Sequence, residues 1–188
     1  SELEEVKKKV EKLIRDVEKV SEDTRREVER LIREVEEATK EHLDRVRRLI
    51  EELREVRKAG SRKEELRELL KRVADKVKRL IETNREVLKE IEDRVRKLIE
   101  ENRRVIEEVA KTLKKIIDDL RRRLREDRLR ERLERLAKEI EDLLRRLREI
   151  SRTIEERARR LLEELKKRSE DLRKTAEELL KEIDEELK

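Results

Sequence analysis

The sequence predicts an all-α fold, a long, straight, rod-like antiparallel three-helix bundle running up, down and up, and three observations lead to it. First, Val10-Glu11-Lys12-Leu13-Ile14, Val28-Glu29-Arg30-Leu31-Ile32 and Val46-Arg47-Arg48-Leu49-Ile50 repeat one pattern at an interval of 18 residues. That interval makes about five turns of an α-helix, so its apolar stripe stays on one side of a straight helix, whereas a heptad repeat imposes a supercoil. Second, 59% of the 188 residues are charged and 33% hydrophobic, with one Gly and no Pro, Cys, Met, Phe, Trp or Tyr. Val and Ile recur at helical spacing and never alternate, which removes strands and leaves long helices. Third, the single glycine stands between two such helical runs.

Helix 1 is expected over about 2–58, opened by the capping signature Ser1-Glu2-Leu3-Glu4. A turn follows at 59–61, where Gly60 suits the left-handed residue that ends a helix and Ser61-Arg62-Lys63-Glu64 reads as a capping box for the next one. Helix 2, over about 62–125, carries the same interval in Leu80-Ile81, Leu98-Ile99 and Ile116-Ile117. Helix 3, over about 128–188, carries it in Leu143-Leu144, Leu161-Leu162 and Leu179-Leu180. The boundary between them has neither Gly nor Pro and is argued from phase. At ~100° per residue, Leu120 and Leu133 fall about 140° out of alignment. A turn near 126–127 with Asp127 as N-cap resolves the conflict. The apolar stripes are of similar width, about 100° to 120°, which favours one chain closing its own core as a single domain over 1–188.

Whole classes of function fall away on composition. Without cysteine there is no disulfide, thiolate metal site or thiol nucleophile. No apolar run approaches the ~18 residues of a membrane span, and the acidic start is unlike a signal peptide, so a soluble chain with no native address is expected. The net charge of +5 is the small difference between 58 basic and 53 acidic residues mixed along the chain. The densest basic run, Arg121-Arg122-Arg123 with Arg125, has no aromatic residue near it to stack on a base, so nucleic acid is not an expected partner. No cofactor or metal is expected either, since the one histidine, His42, has no second histidine or cysteine to join it.

The repeat makes its own exceptions visible. Positions 66, 84, 102 and 120 read Leu66, Asn84, Asn102, Leu120; positions 133, 151, 169 and 187 read Leu133, Ser151, Ser169, Leu187. In helix 1, Val6, Thr24 and His42 form one series and Leu3, Ser21 and Thr39 another. With reversals near 60 and 126, facing residues on helices 1 and 2 have numbers totalling roughly 120 to 126, and those on helices 2 and 3 about 253. Two buried polar layers are then expected: Thr24, Asn102 and Ser151, with Ser21 and Thr153 as further candidates; and His42, Asn84 and Ser169, with Thr39, Thr83 and Thr175. Each polar residue forgoes about 1.5 to 3 kcal/mol of apolar burial, and an unmatched polar group costs about 1 to 3 kcal/mol more. The groups are therefore expected to bond to one another and to fix register, because an 18-residue repeat otherwise tolerates a slip of one repeat. His42 is read as a structural network member, with a pH-responsive element as the alternative reading. Ser151 or Ser169 with His42 could be drawn as a hydrolase triad, but a helical chain offers no oxyanion donors and no cleft, so no enzyme is expected.

The repeat Val28-Glu29-Arg30-Leu31-Ile32-Arg33-Glu34-Val35, the Ala59-Gly60-Ser61 turn, and Asn84 and Asn102 inside Leu/Ile/Val stripes resemble computationally designed, untwisted helical bundles with an 18-residue repeat and buried hydrogen-bond networks. The likeness spans the whole chain, and the missing Gly or Pro near 126 departs from it. It implies a style of construction and no particular activity: a scaffold whose polar layers set register and assembly specificity. The rival expectation is an interaction building block, a subunit of a homo-oligomer or a three-helix chain that captures a partner helix. Ile14, Ile32, Ile50, Leu144, Leu162 and Leu180 separate the two, since flanking a core they close a monomer and exposed they form a recruiting patch.

Overall fold

The structure is a computed structural model describing residues 2–188, and three helices account for its secondary structure: α1, Glu2–Lys58; α2, Lys63–Arg123; and α3, Asp127–Glu186. The N-terminal capping signature depends on Ser1, which lies outside the described residues. The fold is a three-helix bundle, as the repeat requires. Acidic residues fill the first turns, Glu2, Glu4 and Glu5 in α1 and Glu64 and Glu65 in α2, while Arg57-Lys58 and Arg121-Arg122-Arg123 close the same two helices. Both placements complement the helix macrodipole.

The turns depart from expectation in how they are capped. Gly60 has φ of 72°, the left-handed region, and ends α1. A Cβ there would meet nothing within 4 Å, so the constraint is conformational and not steric crowding. Ser61 does not cap α2: its hydroxyl donates back to the Val56 carbonyl at 3.3 Å, and the first α2 bond runs from the Leu66 N–H to the Arg62 carbonyl at 3.0 Å. Arg62 therefore holds the N-cap position. At the second turn α2 stops at Arg123, and the Arg130 N–H bonds to the Glu126 carbonyl at 3.0 Å, so Glu126 is the N-cap and Asp127 the first helical residue. No non-glycine residue has positive φ among the described residues. The turn needs no glycine because none of its residues takes the left-handed conformation; Arg130 Nε–H donates to the Leu124 carbonyl at 2.7 Å, and Leu124 and Leu129 pack on the neighbouring core.

Two compact units are present. Unit 1 joins the α1 segment up to Glu29 with Arg94–Ala158; unit 2 is Arg30–Asp93 with Arg159–Lys188. Each takes a segment of all three helices and one turn. In unit 1, Val10, Ile14 and Val17 pack with Ile106, Leu113, Leu120, Leu133, Ile140 and Leu147. Glu2 meets Arg123 at 2.7 Å and Ser21 meets Asn102 at 3.0 Å, so α1 and α2 run antiparallel there; Arg121–Glu134 at 2.7 Å and Arg148–Glu107 at 2.8 Å give the same relation for α2 and α3. In unit 2, Val46, Ile50 and Leu53 pack with Leu66, Val73, Val77, Ala176, Leu179 and Ile183. There Lys166 reaches Glu92 at 2.5 Å, Arg85 reaches Glu170 at 3.1 Å and Arg67 donates to the Leu187 carbonyl at 2.5 Å, again antiparallel. The charged pairs are solvent-exposed and each stabilises little; burial of the Leu, Ile and Val stripes carries the fold.

Candidate functional site: a buried polar layer in each unit

Among the described residues six polar ones are buried: Ser21, Thr39, Asn84, Asn102, Ser151 and Ser169, none more than 5% exposed. They divide evenly, Ser21, Asn102 and Ser151 in unit 1 and Thr39, Asn84 and Ser169 in unit 2. Each set has one member on every helix, and the second set stands one 18-residue interval from the first at every member.

In unit 1 the Ser21 hydroxyl donates to Asn102 Oδ1 at 3.0 Å, tying α1 to α2. Asn102 Nδ2 and Ser151 Oγ are buried without a hydrogen-bond partner. Unit 2 makes the other half of the pattern. Asn84 Nδ2 donates to Ser169 Oγ at 2.6 Å, tying α2 to α3, and the Ser169 hydroxyl donates a hydrogen bond to the Leu165 carbonyl at 3.0 Å. Thr39 Oγ1, Asn84 Oδ1 and His42 Nδ1 are buried there without a hydrogen-bond partner, as is Arg57 Nη1 nearer the turn. The asparagine oxygen thus accepts from α1 in unit 1 and the asparagine NH2 donates to α3 in unit 2, each unit using one of the two functions a carboxamide carries.

The helix-1 members differ from those expected to lead. Thr24 and His42 are half-buried, and Ser21 and Thr39 take the core positions. At ~100° per residue, Ser21 and Thr39 lie about 20° from the line of Val10, Val28 and Val46, while Thr24 and His42 lie about 40° away on its other side. Distance from that valine line is the signal in the sequence that separates the two series. Thr83, Thr153 and Thr175 lie outside the layers, exposed. They sit one, two and six residues from Asn84, Ser151 and Ser169, rotations of roughly 100°, 160° and 120° off the stripe. The hydroxyls of Thr153 and Thr175 bond instead to the carbonyls of Glu149 at 2.9 Å and Asp171 at 3.0 Å, one turn back on their own helix.

These arrangements offer little chemistry. The Ser169 hydroxyl donates its hydrogen bond to a backbone carbonyl and not to an imidazole, and no nucleophile–base pair forms around it. Among the described residues no group of three or more His, Cys, Asp or Glu side chains could hold a metal ion, and no helix is long and apolar enough to cross a membrane. Surface carboxylates shifted in their titration are simple ion pairs: the Arg173 guanidinium, then Arg85, holds Glu170 down to about 2, and Arg148 lowers Glu107. The residues that discriminate monomer from recruiting surface are turned inward. Ile14, Ile32, Ile50, Leu144 and Leu162 are buried, and Leu180 is half-buried against the unit 2 core.

No protein-family model matches the sequence, and no curated protein matches it. Among solved structures, one described as "Computationally designed three helix bundle" is similar, with a TM-score of 0.75 and 23% sequence identity over 99% of this chain and 92% of that one. At that identity the likeness establishes the shared three-helix fold.

Proposed function

We propose that this chain is a structural scaffold of designed origin, without a native biochemical activity, in which a buried polar layer in each unit fixes helix register and limits assembly to one arrangement. The observation that carries the reading is the recurrence of one hydroxyl, one carboxamide and one hydroxyl, each on a different helix, at equivalent positions of an 18-residue repeat whose other inward positions are apolar. A slip by one repeat would set Asn84 or Asn102 against Leu and break the one bond each makes to a neighbouring helix, Asn84 to Ser169 or Ser21 to Asn102, at about 1 to 3 kcal/mol for each group left newly unbonded. The designed neighbour supports the origin, and the inward placement of Ile14, Ile32, Ile50, Leu144 and Leu162 supports closure within one chain over recruitment of a fourth helix or a second copy. The two exposed large apolar residues, Val20 and Ile150, are the scattered kind that ordinary surfaces carry.

Size-exclusion chromatography with light scattering tests both halves of this reading. The wild-type chain should elute as one species near 23.1 kDa, and two or three times that mass would sink the monomeric scaffold. Asn102→Leu should stay folded yet broaden the distribution of species. A single unchanged species would show that the unit 1 layer does not determine assembly.

A further inference from the structure

Between α1 and α2, wholly within unit 2, lies an open groove of about 440 Å³ with Leu49 and Leu80 as its apolar floor. Arg45, Arg48, Lys76 and Arg79 stand around it, with Glu52 the one acidic lining residue. Arg45 is paired with Glu41 at 2.9 Å, and Arg48, Lys76 and Arg79 have no ion-pair partner among the described residues. Three cations without an ion pair thus flank half-buried leucines, outnumbering the one unpaired carboxylate, Glu52, with their aliphatic stems available to cover an apolar chain and their charged ends available to an anion.

We propose that this groove binds a medium-chain alkyl carboxylate. The alkyl chain would lie on Leu49 and Leu80, and the carboxylate would be held by Arg48 or Arg79, whose planar guanidinium suits two parallel hydrogen bonds to it. The volume falls in the ~300 to 1,000 Å³ range of small-molecule sites, and the length of the groove, from Arg45 to Glu52 on α1, is about two helical turns. That span fits one alkyl chain and is short for a docked helix. The charge arrangement selects against a cationic amphiphile of the same length.

The test is a titration of the full chain, methyl-labelled at leucine, with decanoate below its micelle concentration. Acetate, decanol and decyltrimethylammonium serve as head-only, chain-only and opposite-charge controls. Decanoate should give saturable shifts at Leu49 and Leu80 that the three controls do not reproduce. The double substitution Arg48→Glu with Arg79→Glu, on exposed positions, should leave helicity intact and weaken decanoate by roughly tenfold or more. The proposal is overturned if decanoate produces no saturable shift at these leucines, or if its shifts spread through the core leucines of both units. Decyltrimethylammonium or decanol binding as well as decanoate would reduce the groove to an unselective apolar patch. Acetate alone producing the shifts would leave a bare ion contact, and unchanged affinity in the double variant would remove the charges from the account.

Discussion

Units 1 and 2 hold the same chemical set on the same three helices, yet each closes the bond that the other leaves open. Unit 1 joins α1 to α2 through Ser21 and Asn102, and unit 2 joins α2 to α3 through Asn84 and Ser169. The difference traces to the hydroxyls. Ser21 Oγ reaches Asn102 Oδ1, whereas the β-branched Thr39, stiffer at χ1, has its oxygen without a partner. On α3, Ser169 donates to Leu165 and so presents lone pairs to the Asn84 amide, while Ser151 has no bond at all. A repeat can therefore copy a layer's composition without copying its hydrogen bonds.

The largest effects available should be the same in both units and so calibrate the comparison. Leu113 in unit 1 and Leu53 in unit 2 are each fully buried at 0% exposure. Leu113→Ala and Leu53→Ala should each cost about 2 to 5 kcal/mol in urea unfolding, the usual price of a core cavity. If these two costs differed by more than the asparagine variants do, the contrast between units would lie in their apolar packing and the polar explanation would fail.

Asn102→Leu and Asn84→Leu should then separate. Losing Asn102 strips Ser21 of its only bond beside an already unpartnered Ser151, whereas losing Asn84 leaves Ser169 still bonded to Leu165. Both gain apolar burial, so Asn84→Leu should be the more stable of the two by roughly 1 kcal/mol. Equal denaturation midpoints, or the reverse order, would break the asymmetry drawn from the hydrogen bonds.

The smallest effect concerns the surface. Glu170 of unit 2 titrates at about 2, below the ordinary value of 4.5, because Arg173 and then Arg85 bond its charged form. A depressed folded-state value means that its stabilisation is complete above the unfolded value and is lost as pH falls through the folded one. The gap in melting temperature between wild type and Glu170→Gln should accordingly be present near about pH 6 and close toward about pH 2, and should narrow in high salt. A gap that persisted unchanged at the acid end would show that Glu170 acts by something other than its charge.

Much of this molecule follows from sequence alone. The 18-residue interval, the composition and Gly60 determine three helices, their approximate ends and the heights at which Asn84, Asn102, Ser151 and Ser169 interrupt the stripe, because helical periodicity is local and each stripe needs only its own chain segment. The identity of the caps is less legible: Arg62 and Glu126 take N-cap positions that Ser61 and Asp127 suit better by residue type, since the packing of the helices sets where each turn must close. The sequence ranks Ser21 ahead of Thr24 and Thr39 ahead of His42 by their angle from the valine line, but only the tertiary structure decided that the nearer residue of each pair is enclosed and the other half-buried. Residues three apart on a helix differ by about 60° in direction, and both can border one stripe. Which of them is enclosed depends on where the facing helix lies, and that position is set by the packing of three stripes at once.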